Sequence, residues 1–164
     1  MLFRSDGRIA EDFKLSTGTW VSVGPLRGRI IAAGSPYVQD AIITGIDQDH
    51  IGAMLVVPWD HCRGMTDLPA SATAQQIAGH HAVRSWCIQL LKNLAQHNLG
   101  GSASQIQKIA LLTEPLSIDK GEITDKGSVN QRAVLTHRSA IVQQFYTVND
   151  QQPNQIITLG DQHV

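Results

Sequence analysis

The sequence is poor in cysteine, aromatic residues and net charge, and it contains no long apolar run. Its two cysteines, Cys62 and Cys87, have neither a C-x-x-C nor a zinc-type spacing. That excludes a disulfide framework and leaves two reduced, buried thiols as the expectation. Thirteen Lys and Arg against fourteen Asp and Glu give a formal net charge of -1, so no global field draws in nucleic acid or an anionic membrane surface. Aromatic residues make up 5% of the chain, and the basic residues do not cluster with them, which removes the usual pattern of a nucleic-acid interface. No stretch approaches the ~20 apolar residues of a membrane span, and Met1 to Asp6 lacks the apolar core of a signal peptide. These absences point to a cytoplasmic protein that binds neither nucleic acid nor membrane.

Local catalytic motifs are also scarce. His61-Cys62 and His80-His81 reproduce no H-E-x-x-H or paired-cysteine spacing, so no metal site is expected. Ser16-Thr17-Gly18-Thr19 lacks the Gly-rich length and the following Lys of a phosphate-cradling loop, so no nucleotide site is expected on this chain. There is no G-x-S-x-G elbow and no local pattern for a Ser-His-Asp triad.

What is present reads as one domain over residues 1–148 followed by a polar, loosely held tail over 149–164. Phe13, Leu15, Trp20 and Val21 flank the polar turn Ser16 to Thr19 and predict a short exposed hairpin, with Gly18 free to take positive φ. Pro25, Leu26, Ile30 and Ile31 predict a helix over roughly 24–33. The β-branched runs 38–46 and 52–58 predict an antiparallel strand pair. Residues 61–71 read as a loop, and Thr73 to Leu94 as the longest helix, broken near Gly79 and stopped by Asn98 to Gly101. A third strand spans Ile106 to Leu112, and Asn130 to Tyr146 is helical. Trp20, Trp59 and Trp86 are expected in core or edge packing. The fold class is α+β: an N-terminal β-hairpin, then a three-stranded sheet packed with helices.

Two segments carry a family signature. Gly7-Arg8-Ile9-Ala10-Glu11 leads into the Gly18 hairpin, and Glu122-Ile123-Thr124-Asp125-Lys126-Gly127-Ser128-Val129-Asn130-Gln131-Arg132 lies near the other end. Together they resemble the small C-terminal lid domain of acyl-adenylate-forming CoA ligases, feruloyl-CoA synthases above all, over roughly residues 6–147. The resemblance implies a mobile domain that works beside an N-terminal adenylation domain. That enzyme would join an aromatic, hydroxycinnamate-type carboxylic acid to CoA through an acyl-adenylate, using ATP and Mg2+. No cofactor would be held by this chain alone.

By the same resemblance, the hairpin backbone at Gly18 lines the path of the CoA pantetheine arm. Thr17, Thr19 and Ser16 are then neighbouring polar groups, and Lys14 and Arg27 are candidate contacts for CoA phosphates. Arg8 matches the hinge; the polar hinge position two residues later is Ala10, so Glu11, Asp12 or Asp6-Gly7 are alternatives for the backbone change. The family lysine that bridges the α-phosphate and the substrate carboxylate falls on Ser128 when Glu122, Thr124 and Arg132 are in register. Lys126 lies two residues earlier and is the candidate catalytic residue, with Lys120 as a substitute. An alternative reading is a non-catalytic interaction or regulatory module that keeps the lid fold.

Overall fold

The computed structural model describes residues 11–96, 105–147 and 156–158. Its first unit is the predicted hairpin, β1 (Phe13–Lys14) paired antiparallel with β2 (Trp20–Val21). Phe13, Leu15 and Val21 turn inward and are buried. Helix α1 (Val23–Gly34) follows at once. Ser22 offers its first turn no side-chain bond; instead the Asp12 carboxylate accepts from the Val23 N–H at 2.9 Å, which ties hairpin to helix and places a negative charge at the positive helix end.

The sheet contains β3 (Asp40–Thr44), β4 (Ile51–Val56), β5 (Ile106–Leu111) and β6 (Ile156–Thr158), in the order β3-β4-β5-β6. β3 and β4 pair antiparallel, as expected, while β4 and β5 run parallel. A parallel neighbour needs a long crossover, and this one is made by α2 (Trp59–Arg63), α3 (Ala74–Gly79) and α4 (His81–Gln96). On the far face lie α5 (Gln131–His137) and α6 (Ser139–Tyr146).

Strand alternation sorts the core into two layers. Ala41, Ile43, Ile51, Ala53, Leu55 and Ile109 meet α1 and α4. Ile42, Met54, Ala110 and Ile156 meet Val134 of α5 and Phe145 of α6. With both faces covered, the strands need apolar residues at every position, which is why they read as continuous runs and not as alternating ones. β3 is an outer strand, and its outward groups do not go unpaired: the buried Gln131 amide accepts from the Ile43 N–H at 2.9 Å and donates to the Ala41 carbonyl at 2.8 Å. A side chain thus stands in for a further strand.

Several expectations are corrected. The sheet has four strands, because Ile156–Thr158, within the stretch read as a loosely held tail, pairs with β5. The loop expected over 61–71 begins inside α2. The helix expected from Asn130 to Tyr146 is two helices, interrupted at Arg138, whose φ of -111° and ψ of 32° depart from helical values. Trp20 is 62% exposed, not packed. The break near Gly79 is present as the α3–α4 junction, where His80 takes extended values, φ -70° and ψ 139°; at its other end α3 starts in a reciprocal capping box of Thr73 and Gln76. Asn98 to Gly101, Arg8 and Ala10 lie outside the described residues. No helix among those described is long and apolar enough to cross a membrane.

Candidate functional site

The candidate residues fall on two turns. In the first, the Leu15 N–H donates to the Thr19 carbonyl and the Gly18 N–H to the Leu15 carbonyl, both at 2.9 Å. This closure puts Gly18 at φ +88°, in the region that favours glycine. Ser16, Thr17, Gly18 and Thr19 are all exposed, and a Cβ built at Gly18 would meet no atom within 4 Å. The Thr17 hydroxyl donates to the Thr19 hydroxyl at 3.1 Å. Lys14 stands over the exposed Trp20 ring, its ammonium 5.2 Å from the ring centre.

The tip is held from behind by the β3–β4 loop. The Asp47 N–H donates to the Lys14 carbonyl at 3.1 Å, and the Ser16 N–H donates to the Gln48 carbonyl at 2.8 Å. That loop is pinned in turn by Tyr146 of α6, whose hydroxyl donates to the His50 carbonyl at 3.1 Å and sits 2.8 Å from the buried Thr44 hydroxyl. Burial pushes the Tyr146 phenol up to about 12, so it remains a neutral donor. Arg27, a candidate phosphate contact on sequence grounds, is engaged elsewhere. It forks onto both Asp40 oxygens at 2.8 Å and lies 3.6 Å from Glu11. Glu11, expected near a hinge, thus has its carboxylate beside the body of the domain.

The second turn carries Lys126. Ile123 and Val129 form an isolated antiparallel bridge, the Thr124 N–H donates to the Ser128 carbonyl and the Gly127 N–H to the Thr124 carbonyl, both at 2.9 Å. Gly127 takes φ +86° to complete the reversal. Asp125, Lys126 and Ser128 are exposed at the tip, and Lys120 is exposed in the preceding turn. The Ser128 N–H is turned back onto the Thr124 hydroxyl at 3.0 Å.

Beneath this turn lies a group to which the sequence reading gave no role. Glu122 is only 1% exposed, and Arg138 grips it through two nitrogens, at 2.9 and 3.0 Å. The Arg138 hydrogen bonds, against the opposing effect of burial, hold the Glu122 carboxyl below its ordinary value. The glutamate that opens the Glu122 to Arg132 motif was visible in the sequence, but its partner sixteen residues on was not.

The two turns do not converge. The hairpin packs through Phe13, Leu15 and Val21 into the α1/α4 layer, and the Lys126 turn packs through Ile123 and Val129 into the α5/α6 layer, across the sheet. Among the described residues no group of three His, Cys, Asp or Glu side chains could hold a metal ion.

A small α+β domain with a β-hairpin and a four-stranded sheet packed with helices matches the C-terminal domain of adenylate-forming enzymes. The chain belongs to the AMP-binding enzyme C-terminal domain family, whose model matches residues 11–150. Among solved structures it is similar to the A domain of the carboxylic acid reductase from Segniliparus rugosus in complex with AMP and a co-purified carboxylic acid. The TM-score there is 0.63 at 20% identity, over 85% of this chain and 20% of that one. The A-PCP didomain of the same organism's reductase, in complex with AMP, gives 0.61 at 20% identity over 83% and 17%. The A domain of the Mycobacterium chelonae carboxylate reductase gives 0.57 at 18% over 85% and 20%. The chain therefore spans about a fifth of the solved chains it resembles. No curated protein sequence matches it significantly.

Proposed function

We propose that this domain is the mobile lid of a feruloyl-CoA synthase-like ligase, working beside an N-terminal adenylation domain that binds ATP, Mg2+ and a hydroxycinnamate-type acid in the cytoplasm. The observation that carries the reading is the placement of two polar, exposed turns on opposite sides of one sheet. A single rigid body of this shape presents one turn or the other to a fixed partner, and so serves two steps in sequence. Exposed apolar side chains mark the same two places. Trp20 lies in the hairpin and Ile46 in the loop bonded to it, while Ile118, 62% exposed, lies in the turn at the base of the Lys126 segment. Each is a side chain that contact with a larger domain would cover.

On this reading Lys126 supplies a point charge where negative charge develops on the α-phosphate and carboxylate during adenylation, and a flexible, exposed lysine suits that task. Gly18, with Thr17 and Thr19, leaves an unobstructed backbone edge for the pantetheine arm of CoA, and Lys14 offers a nearby cation for its phosphates. Arg8, Ala10 and Glu11 form the hinge. A second reading, a non-catalytic module that retains the lid fold, is favoured by Ser128, which stands at the register position of the family lysine.

The test is to assay the enzyme that carries this chain with its adenylation domain for carboxylate-dependent pyrophosphate exchange and acyl-CoA formation across hydroxycinnamates, benzoates and fatty acids. Hydroxycinnamate-specific turnover is expected. Exchange without thioester formation, or preference for another acid class, overturns the feruloyl-CoA synthase assignment, and no exchange at all favours the second reading.

A further inference from the structure

We infer that Arg138 is a positioning residue for the Lys126 turn: gripping buried Glu122 through two nitrogens, it fixes the base of the segment whose tip carries the lysine. The turn lies outside the four-stranded sheet and meets the core through Ile123 and Val129 alone among its apolar residues. Two apolar side chains set its depth but not its direction. Glu122 supplies the direction, because its backbone and side chain are both engaged: its carbonyl accepts from the Asn130 N–H at 2.9 Å, which closes the turn, and its Oε1 accepts from the Ser117 N–H at 2.9 Å.

Arg138 then joins this base to the chain leaving β5. Its Nη1 donates to the Glu114 carbonyl at 3.0 Å and its Nη2 to the Pro115 carbonyl at 2.9 Å. One guanidinium thus holds residues 114, 115 and 122 from the interruption between α5 and α6. Arg138 departs from helical geometry at this point, and its guanidinium meets Glu122 at the base of the turn. A lysine at this position could not reproduce the arrangement, because a single ammonium cannot fork onto both carboxylate oxygens and reach two carbonyls in one plane.

The inference rests on the proposed role of Lys126, and its test keeps the two apart. In the 164-residue chain, amide hydrogen exchange of Arg138→Lys and Arg138→Met is compared with the wild type. Exchange at Thr124, Gly127, Ser128 and Asn130 is expected to accelerate by about tenfold or more, while Leu55 and Ala110 of the sheet keep their protection. Unchanged exchange in the turn, or equal acceleration in the sheet, overturns the inference.

In the complete enzyme, adenylation by both variants is expected to fall by up to about 10²-fold in kcat, with KM for ATP and acid little changed, since a displaced cation loses effect without loss of substrate binding. Combined with Lys126→Ala, Arg138→Lys should add almost nothing, because both act through one ammonium. Fully additive losses would show that Arg138 acts through general stability and overturn the inference. If Lys126→Ala leaves adenylation normal, the role given to the lysine fails, and hydrogen exchange alone then decides whether Arg138 orders the turn.

Discussion

A tryptophan at position 18 separates the two half-reactions on the proposed reading, and the structure sets what the substitution costs the fold. The ideal Cβ at Gly18 meets nothing within 4 Å and the turn is exposed, so the first side-chain atom displaces no neighbour. The cost arises from φ +88°, where a side chain is strained by roughly 1–2 kcal/mol. For a domain of this size each kcal/mol lowers Tm by about 2–4 °C. Gly18→Trp should therefore lower Tm by roughly 2–8 °C and leave the domain folded at 25 °C. Gly18→Ala bears the same backbone strain without the reach of an indole, and so serves as the control. In the complete enzyme, pyrophosphate exchange should change little in either variant. Thioester formation should fall by about 10²-fold or more in Gly18→Trp and only slightly in Gly18→Ala. Equal loss of both half-reactions, or an alanine as damaging as the tryptophan, would refute the reasoning and leave the hairpin as a folding element only.

Three further outcomes follow from the packing. A Cβ at Gly52 would come within 2.4 Å of the Phe145 ring, which is fully buried, so Gly52→Ala should destabilise by about 1–3 kcal/mol in urea unfolding, instead of the slight gain usual for Gly→Ala in a strand. Because Arg138 holds the folded-state pKa of Glu122 below its ordinary 4.5, the associated stability is present above that pH and is lost as pH falls below it. Glu122→Gln should flatten the acid limb of a stability-against-pH curve in that window. Burial pushes the Cys62 thiol to about 11 and the Cys87 thiol to about 12, so a thiol reagent at pH 8 should label neither until the protein is unfolded, when both react.

The hairpin, the antiparallel β3–β4 pair, the α3–α4 break and the third strand were all legible, because each carries a local signal: a turn glycine at Gly18, continuous β-branched runs, and Gly79 within a helical pattern. Strand β6 was not, since Ile156 and Ile157 are two apolar residues amid Gln and Asn, and only the unpaired side of β5, distant in sequence, makes them a strand. The division at Arg138 was hidden for a similar reason. Helical period continues through it, and the contacts of Arg138 there are with Glu122, sixteen residues earlier. Trp20 was misjudged because hydrophobicity says that an indole prefers burial, whereas strand alternation in a two-residue β2 turns Val21 inward and leaves Trp20 outside. For the site, glycine positions and the exposed Lys126 were readable from turn chemistry and the family resemblance. The ion pair of Arg27 with Asp40 and the separation of the two turns by the sheet depend on tertiary contacts, which no local pattern encodes.

Whether the two turns serve different chemical steps is decided by the adenylation rate of Lys126→Ala in the complete enzyme. Pyrophosphate exchange and transfer from a pre-made acyl-adenylate are measured separately, beside Lys120→Ala and Ser128→Lys. Lys126→Ala is expected to slow adenylation by about 10²- to 10³-fold, or roughly 3–4 kcal/mol, and to leave transfer nearly intact, while Lys120→Ala behaves as the wild type. Near-normal adenylation by Lys126→Ala would contradict this; a slow Lys120→Ala would move the role to the preceding turn, and rescue of Lys126→Ala by Ser128→Lys alone would move it along the same turn.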